Sequence, residues 1–163
     1  MYTRSLSIEQ ILSMLAETPP HLASVTAGVG PALLRTSPNQ GEWSAVEVLA
    51  HMRSCADVWG SYIELIIAEE RPTIRAVNPT TWIKQTDYPE LEFQPSLDAF
   101  TRQRAELLAV LGALAPEDWS RAATITGAGK PREGSVLYYA QWLARHERPH
   151  VKQIERIVKA MQE

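Results

Sequence analysis

The sequence predicts an all-α fold, a four-helix bundle with long crossover connections. Three observations lead to it. Apolar residues recur at steps of three and four in four segments, the spacing of a helix face. A serine stands as a cap before each of those segments. No alternating strand appears beyond the fragment Ala123 to Thr126, and the segments separating the second, third and fourth helices are too long for simple up-and-down neighbours.

The first helix opens at Ile8, because Ser7 and Gln10 have the spacing of a capping box. Ile8, Ile11, Leu12 and Leu15 give its apolar face. The pair Pro19-Pro20 predicts a break near "TPPH", with Thr18 capping a continuation that ends in "GVGP". "LLRTSPNQGEWS" reads as a loop closing on a second capping box, Ser44 with Glu47. The second long helix then runs from Ala45 to about Glu70, with Val48, Met52, Cys55, Trp59, Ile63, Ile66 and Ile67 as its stripe.

"RPTIRAVNPTTWIKQTDYPELEFQP" predicts an extended connection of roughly 25 residues, long enough to be functional or a crossover. Ser96 is the expected cap of the third helix, with Leu97, Phe100, Leu107, Leu108, Leu111 and Leu114 inward and Pro116 past its end. A second long loop follows, containing Gly127, Gly129 and Gly134. Ser135 caps the last helix, whose stripe is Val136, Tyr139, Leu143, His146, His150, Ile154, Ile157 and Met161.

The 163 residues, 45% hydrophobic and 21% charged, fit one soluble domain spanning 1–163. A net charge of −3 gives no electrostatic case for nucleic acid. One cysteine, Cys55, excludes an internal disulfide framework and suits a reducing cytoplasm. "MYTRSLSIEQ" lacks the apolar core of a signal peptide, and no apolar run approaches membrane-spanning length. "TGAGKP" has the flavour of a phosphate loop without its GK[ST] ending or preceding strand.

The candidate chemistry lies in three histidines. His146 and His150 stand four apart, about one turn, on the buried stripe of the last helix. His51 falls on the inward line of the second helix, among the apolar residues of "VEVLAHM". A buried imidazole needs a hydrogen-bond partner or a metal, and bundle cores build metal sites from facing helices. Three imidazoles would leave positions open to water or substrate, as catalytic metal sites do. Imidazole accepts zinc, nickel, copper or iron alike. Pro149, between the paired histidines, is expected to kink the helix.

Other residues have blander readings. Glu47 could orient His51, but its capping role already accounts for it. Cys55, one turn after His51, could ligate a metal as thiolate but reads first as a small core residue, a second choice for the site. Arg104 interrupts an apolar stripe and asks for an anion, most simply an internal carboxylate. Tyr139 and Trp142 read as core, Trp43 as a plug at the helix start, and His21 lies outside the site.

"GEWSAVEVLAHM", followed by a long helix and then "LARHERPHVKQI", resembles the DinB-like (YfiT-like) superfamily of metalloenzymes. "SLDAFTRQRAELLAVLGALAPEDWSR" and the glycine-containing loop are similar too, so the resemblance covers essentially the whole chain. It implies a four-helix bundle in which His51, His146 and His150 hold a divalent metal ion: nickel, zinc or iron. It implies a small-molecule substrate, a homodimer, and in some members attack of a low-molecular-weight thiol on an electrophile. Glu147 fits the acidic residue that often follows the first of the paired histidines; Pro149 departs from the pattern. The expected function is a divalent-metal-dependent transferase or hydrolase acting through an activated thiol or water. The alternative is a non-catalytic homodimeric bundle whose metal is structural or absent.

Overall fold

A computed structural model describes residues 5–162. The stretch searched for a leader, "MYTRSLSIEQ", begins in residues 1–4, outside the described residues. Four long helices form the bundle: α1 (Ile8–Val25), α3 (Ala45–Ala68), α5 (Phe93–Gly112) and α6 (Val136–Met161). Between them run the short helices α2 (Pro31–Arg35) and α4 (Pro79–Trp82) and the strands β1 (Thr73–Arg75), β2 (Ala122–Thr126) and β3 (Arg132–Ser135). α6 packs on both α1 and α3, and α5 packs on the same two. The pairs α1/α3 and α5/α6 therefore sit on the diagonals, which is why long crossovers join the helices.

Three of the expected caps hold. Ser7 and Ser44 each accept from the backbone N–H three residues on, and the Gln10 and Glu47 side chains accept from the N–H of Ser7 and Ser44 in return. Ser135 accepts from the N–H of Tyr138. The fourth does not: α5 begins at Phe93, and Ser96 is buried inside it, accepting from Arg53 Nη1 at 3.0 Å. A serine aimed at a buried guanidinium cannot be told from a cap by sequence spacing.

The expected break at Pro19-Pro20 is also absent, since α1 passes through both prolines. Pro19 cannot donate to the Leu15 carbonyl one turn back. Arg104 Nη1 from α5 donates to that carbonyl instead, at 2.9 Å. Pro20 lies on the exposed face, and the residue four before it, Ala16, is exposed too. Thr18 caps nothing; its hydroxyl lies 3.2 Å from the Met14 carbonyl oxygen and 2.9 Å from Glu147 Oε1. In α6, exposed Pro149 likewise leaves one uninterrupted helix.

The two long connections are structured. The first, after α3, carries β1, α4 and two 3-10 turns, and is tied to α3. Asp57 accepts from Trp82 Nε1, Tyr88 Oη and Gln103 Nε2, while the Arg53 guanidinium lies 3.7 Å from the Tyr88 ring centroid. The second connection supplies β2 and β3. They join β1 in a sheet ordered β1-β2-β3, parallel between β1 and β2 and antiparallel between β2 and β3. "TGAGKP" lies at the tip of the β2–β3 hairpin, where Gly127 and Gly129 take positive φ. The sheet stands where α3 and α5 end and α6 begins. His51, on the second turn of α3, is about 25 Å of helix away from that end. Among the described residues, no helix is long and apolar enough to cross a membrane.

Candidate metal centre

The N-terminal third of α3 faces the middle of α6, and the histidines meet there. The capping box fixes where α3 starts, which sets the phase of its inward stripe. Val48, Met52 and Cys55 are buried on the helix, and His51 between them is half-buried. On α6, Tyr139, Leu143 and Ile154 are buried, with half-buried His146 and His150 between them. His51 Nε2 lies 3.2 Å from His146 Nε2, and His150 Nε2 lies 3.1 Å from the same atom. The three ring centroids are 4.5 to 5.1 Å apart. All three residues singled out from the sequence thus come together.

Neighbours orient the rings. His150 Nδ1 is 2.9 Å from Gln153 Oε1; an amide oxygen only accepts, so this nitrogen carries the proton. In the neutral ring, Nε2 then keeps its lone pair toward the other two histidines. Trp142 stacks on His146 at 4.4 Å between centroids and 16° between planes. Trp43 lies against His51 at 5.3 Å. The buried His146 Nδ1 has no hydrogen-bond partner among the described residues.

Burial favours neutral rings at His146 and His51. Burial first, and then the charges His150 and His51 would carry, push the His146 pKa down to about 3. Burial and His150 lower that of His51. Metal ions bind neutral imidazole, so His51 and His146 are ready to coordinate without first losing protons. The distances agree as well. A tetrahedral ion with metal–nitrogen bonds of about 2.0–2.1 Å separates two nitrogens by about 3.4 Å.

Two openings reach the cluster. A cleft of about 610 Å³ has His150 in its wall, with Trp43, Glu42, Gln153 and Arg156 around it. A smaller one of about 310 Å³ reaches His146 past Tyr138 and Trp142. Trp43 is therefore no plug: it is 42% exposed and lines the larger cleft. Trp142 is a wall of the smaller one, whereas Tyr139 is core, as expected.

Glu47 keeps to its cap; its carboxylate accepts from Ser44 N at 3.1 Å. Arg104 finds its anion in Glu147, with Nη1 donating to Oε1 at 2.8 Å and Nη2 to Oε2, both side chains fully buried. Sequence reasoning missed Gln153, although its position three residues after His150 was a signal that the two could touch on a helix. It also ranked Cys55 behind the histidines, as a second-choice member of the site. That thiol is buried with Sγ 3.7 Å from His51 Nε2 and 3.9 Å from His146 Nε2. Burial, and then Glu147, push its pKa up to about 12.

Known proteins agree with this architecture. A 158-residue alignment at 23% identity, over 93% of this chain and 84% of the other, links it to a Geobacillus thermodenitrificans protein named "Putative metal-dependent hydrolase". The structure superposes with a TM-score of 0.81 on YfiT from Bacillus subtilis, covering 99% of this chain and 93% of that one at 18% identity. YfiT is described as "a probable metal-dependent hydrolase with an unusual four-helix bundle topology". The profile of the DinB superfamily matches residues 14–154, a span that runs from α1 to α6 and includes the whole histidine cluster. A match of that extent, on a bundle of this topology, makes the chain a member of the DinB superfamily.

Proposed function

We propose that this chain is a divalent-metal-dependent enzyme in which His51, His146 and His150 hold one ion of nickel, zinc or iron. The observation that carries the reading is that His146 Nε2, beside an open cleft, stands 3.2 Å from His51 Nε2 and 3.1 Å from His150 Nε2. When bound, such an ion supplies Lewis acidity, lowering the pKa of a water or a low-molecular-weight thiol so that it can attack an electrophilic small molecule.

The protein's own residues prepare that chemistry. Gln153 holds the His150 proton on Nδ1 and so leaves Nε2 free to donate its lone pair. Trp142 fixes the His146 ring by stacking and screens it from part of the solvent. Trp43 offers an apolar wall where a substrate would enter, and Arg156 a positive charge. We read hydrolysis and thiol transfer as the two reactions to be separated. We read the working unit as one cytoplasmic domain that pairs with a second copy, which sedimentation would detect as twice the monomer mass.

The deciding experiment is elemental analysis of protein purified without a histidine tag, beside a His146→Ala/His150→Ala variant. About one equivalent of metal per chain, lost in the variant, is the expected result. Activity is then screened on electrophiles with and without small thiols. Full metal occupancy in the double variant would overturn the assignment.

A further inference from the structure

We propose that Cys55 is a protein ligand, through its sulfur, to the divalent ion of this site, beside His51 and His146. The inference rests on the metal-centre reading above and adds to it a donor of different chemistry.

The donor atoms of His51, Cys55 and His146 all lie within 4.8 Å of one another. A tetrahedral ion with a metal–sulfur bond of about 2.3 Å and metal–nitrogen bonds of about 2.05 Å sets sulfur and nitrogen about 3.6 Å apart. The observed separations are 3.7 Å to His51 Nε2 and 3.9 Å to His146 Nε2. The sulfur reaches that position because Cys55 follows His51 by one turn of α3, so both side chains face α6. A cysteine that only filled core volume would be set among apolar side chains; this one lies against two ring nitrogens.

Access fits too. Cys55 is 2% exposed and lies on the closed side of the cluster, whereas the larger cleft opens at His150. Ligation by sulfur therefore comes from the side away from the cleft, and where all three histidines bind as well, water or substrate adds as a fifth neighbour. In forming the metal–sulfur bond the thiol loses its S–H proton to solvent, and no electron is transferred. The resulting thiolate cancels one of the ion's two positive charges and makes the donor set softer. That shifts preference toward zinc, nickel or cobalt and away from magnesium or manganese.

The test is cobalt(II) reconstitution of the metal-free protein under anaerobic conditions, with cobalt content measured on the same sample. The wild-type protein is expected to show a near-ultraviolet sulfur-to-cobalt charge-transfer band. Cys55→Ser is expected to bind cobalt but lose that band. Zinc-edge X-ray absorption on the wild type gives an independent reading that needs no variant: one sulfur neighbour at about 2.3 Å. Bound cobalt without the band, or a zinc shell of nitrogen and oxygen alone, would overturn the role of Cys55 and leave the histidine site standing. Failure to bind any of these metals would overturn both readings, and the metal content identifies that outcome.

Discussion

Removing Glu147 should destabilise the protein more than most single substitutions, and the structure says by how much. Its carboxylate is 1% exposed and takes three hydrogen bonds: one from Thr18 Oγ1 on α1 and two from Arg104 on α5. Glu147→Ala leaves the Arg104 guanidinium buried, still bonded to the Leu15 carbonyl and over the Phe100 ring but without its counter-ion. Breaking a buried pair by deleting one partner costs about 3–5 kcal/mol. For a domain of this size that is a fall in Tm of roughly 6–20 °C. Urea titration followed by far-ultraviolet circular dichroism measures the first quantity and a thermal scan the second.

The companion variant separates the pair's net worth from the penalty of orphaning a charge. Arg104→Met/Glu147→Leu removes both ions and keeps the volume apolar, so it should be far more stable than Glu147→Ala and close to wild type or above it. A loss below about 1 kcal/mol in Glu147→Ala would refute the reasoning. It would mean that the α1, α5 and α6 contacts at this point are wet in solution. A double variant no better than the single would refute it differently, by showing that the pair itself stabilises the fold.

Further outcomes are expected at the site and the sheet. In metal-free protein the His146 ring should stay neutral at pH 5 by NMR, because its pKa is held at about 3, well below the ordinary 6.5. The unfolded chain takes up that proton first, so the stabilisation is complete above about pH 6.5 and is lost as the pH falls toward 3; a His146 midpoint near 6.5 would contradict it. Gln153→Ala should weaken metal binding by about 10–100-fold while leaving the helical spectrum intact, and unchanged affinity would remove Gln153 from the site. Gly134→Ala should destabilise by about 1–3 kcal/mol in the same urea assay. A Cβ there would stand 2.2 Å from Tyr139 Oη and 2.7 Å from Cε2 of a ring that is 2% exposed. A neutral result would show that the ring can swing aside.

The helices and the three histidines were legible in the sequence because periodicity and caps are local signals. Ser44 with Glu47 fixed the start of α3, and steps of three and four then brought His51 to the α6 side. Of the sheet, only β2 left a trace, in the fragment Ala123 to Thr126. β1 buries only Ile74, and β3 buries only Gly134, which has no side chain to mark a pattern. Their partners are distant in sequence, as in the pairing of Ile74 with Ile125. The continuity of α1 was hidden for a similar reason. Pro19 reads as a breaker until the guanidinium of a residue on another helix is seen to replace its missing N–H.

That replacement ties the buried ion pair to the candidate site. Arg104 serves the carbonyl that Pro19 leaves free and the carboxylate of Glu147 together, and Thr18 on α1 reaches the same carboxylate. One cluster thus joins α1, α5 and α6. Glu147 stands immediately after His146, about 100° further round α6. With the carboxylate held toward α1 and α5, His146 and, one turn on, His150 are turned toward α3, where His51 and Cys55 lie. A rotation of α6 that brought either histidine out of line would pull Glu147 away from Arg104 and leave two buried charges unmatched. Buried ion pairs add little net stability compared with apolar replacements, but here the penalty for misalignment falls on the one rotation the site cannot tolerate. We read the polar cluster as a register mark for the helix that carries two of the three histidines.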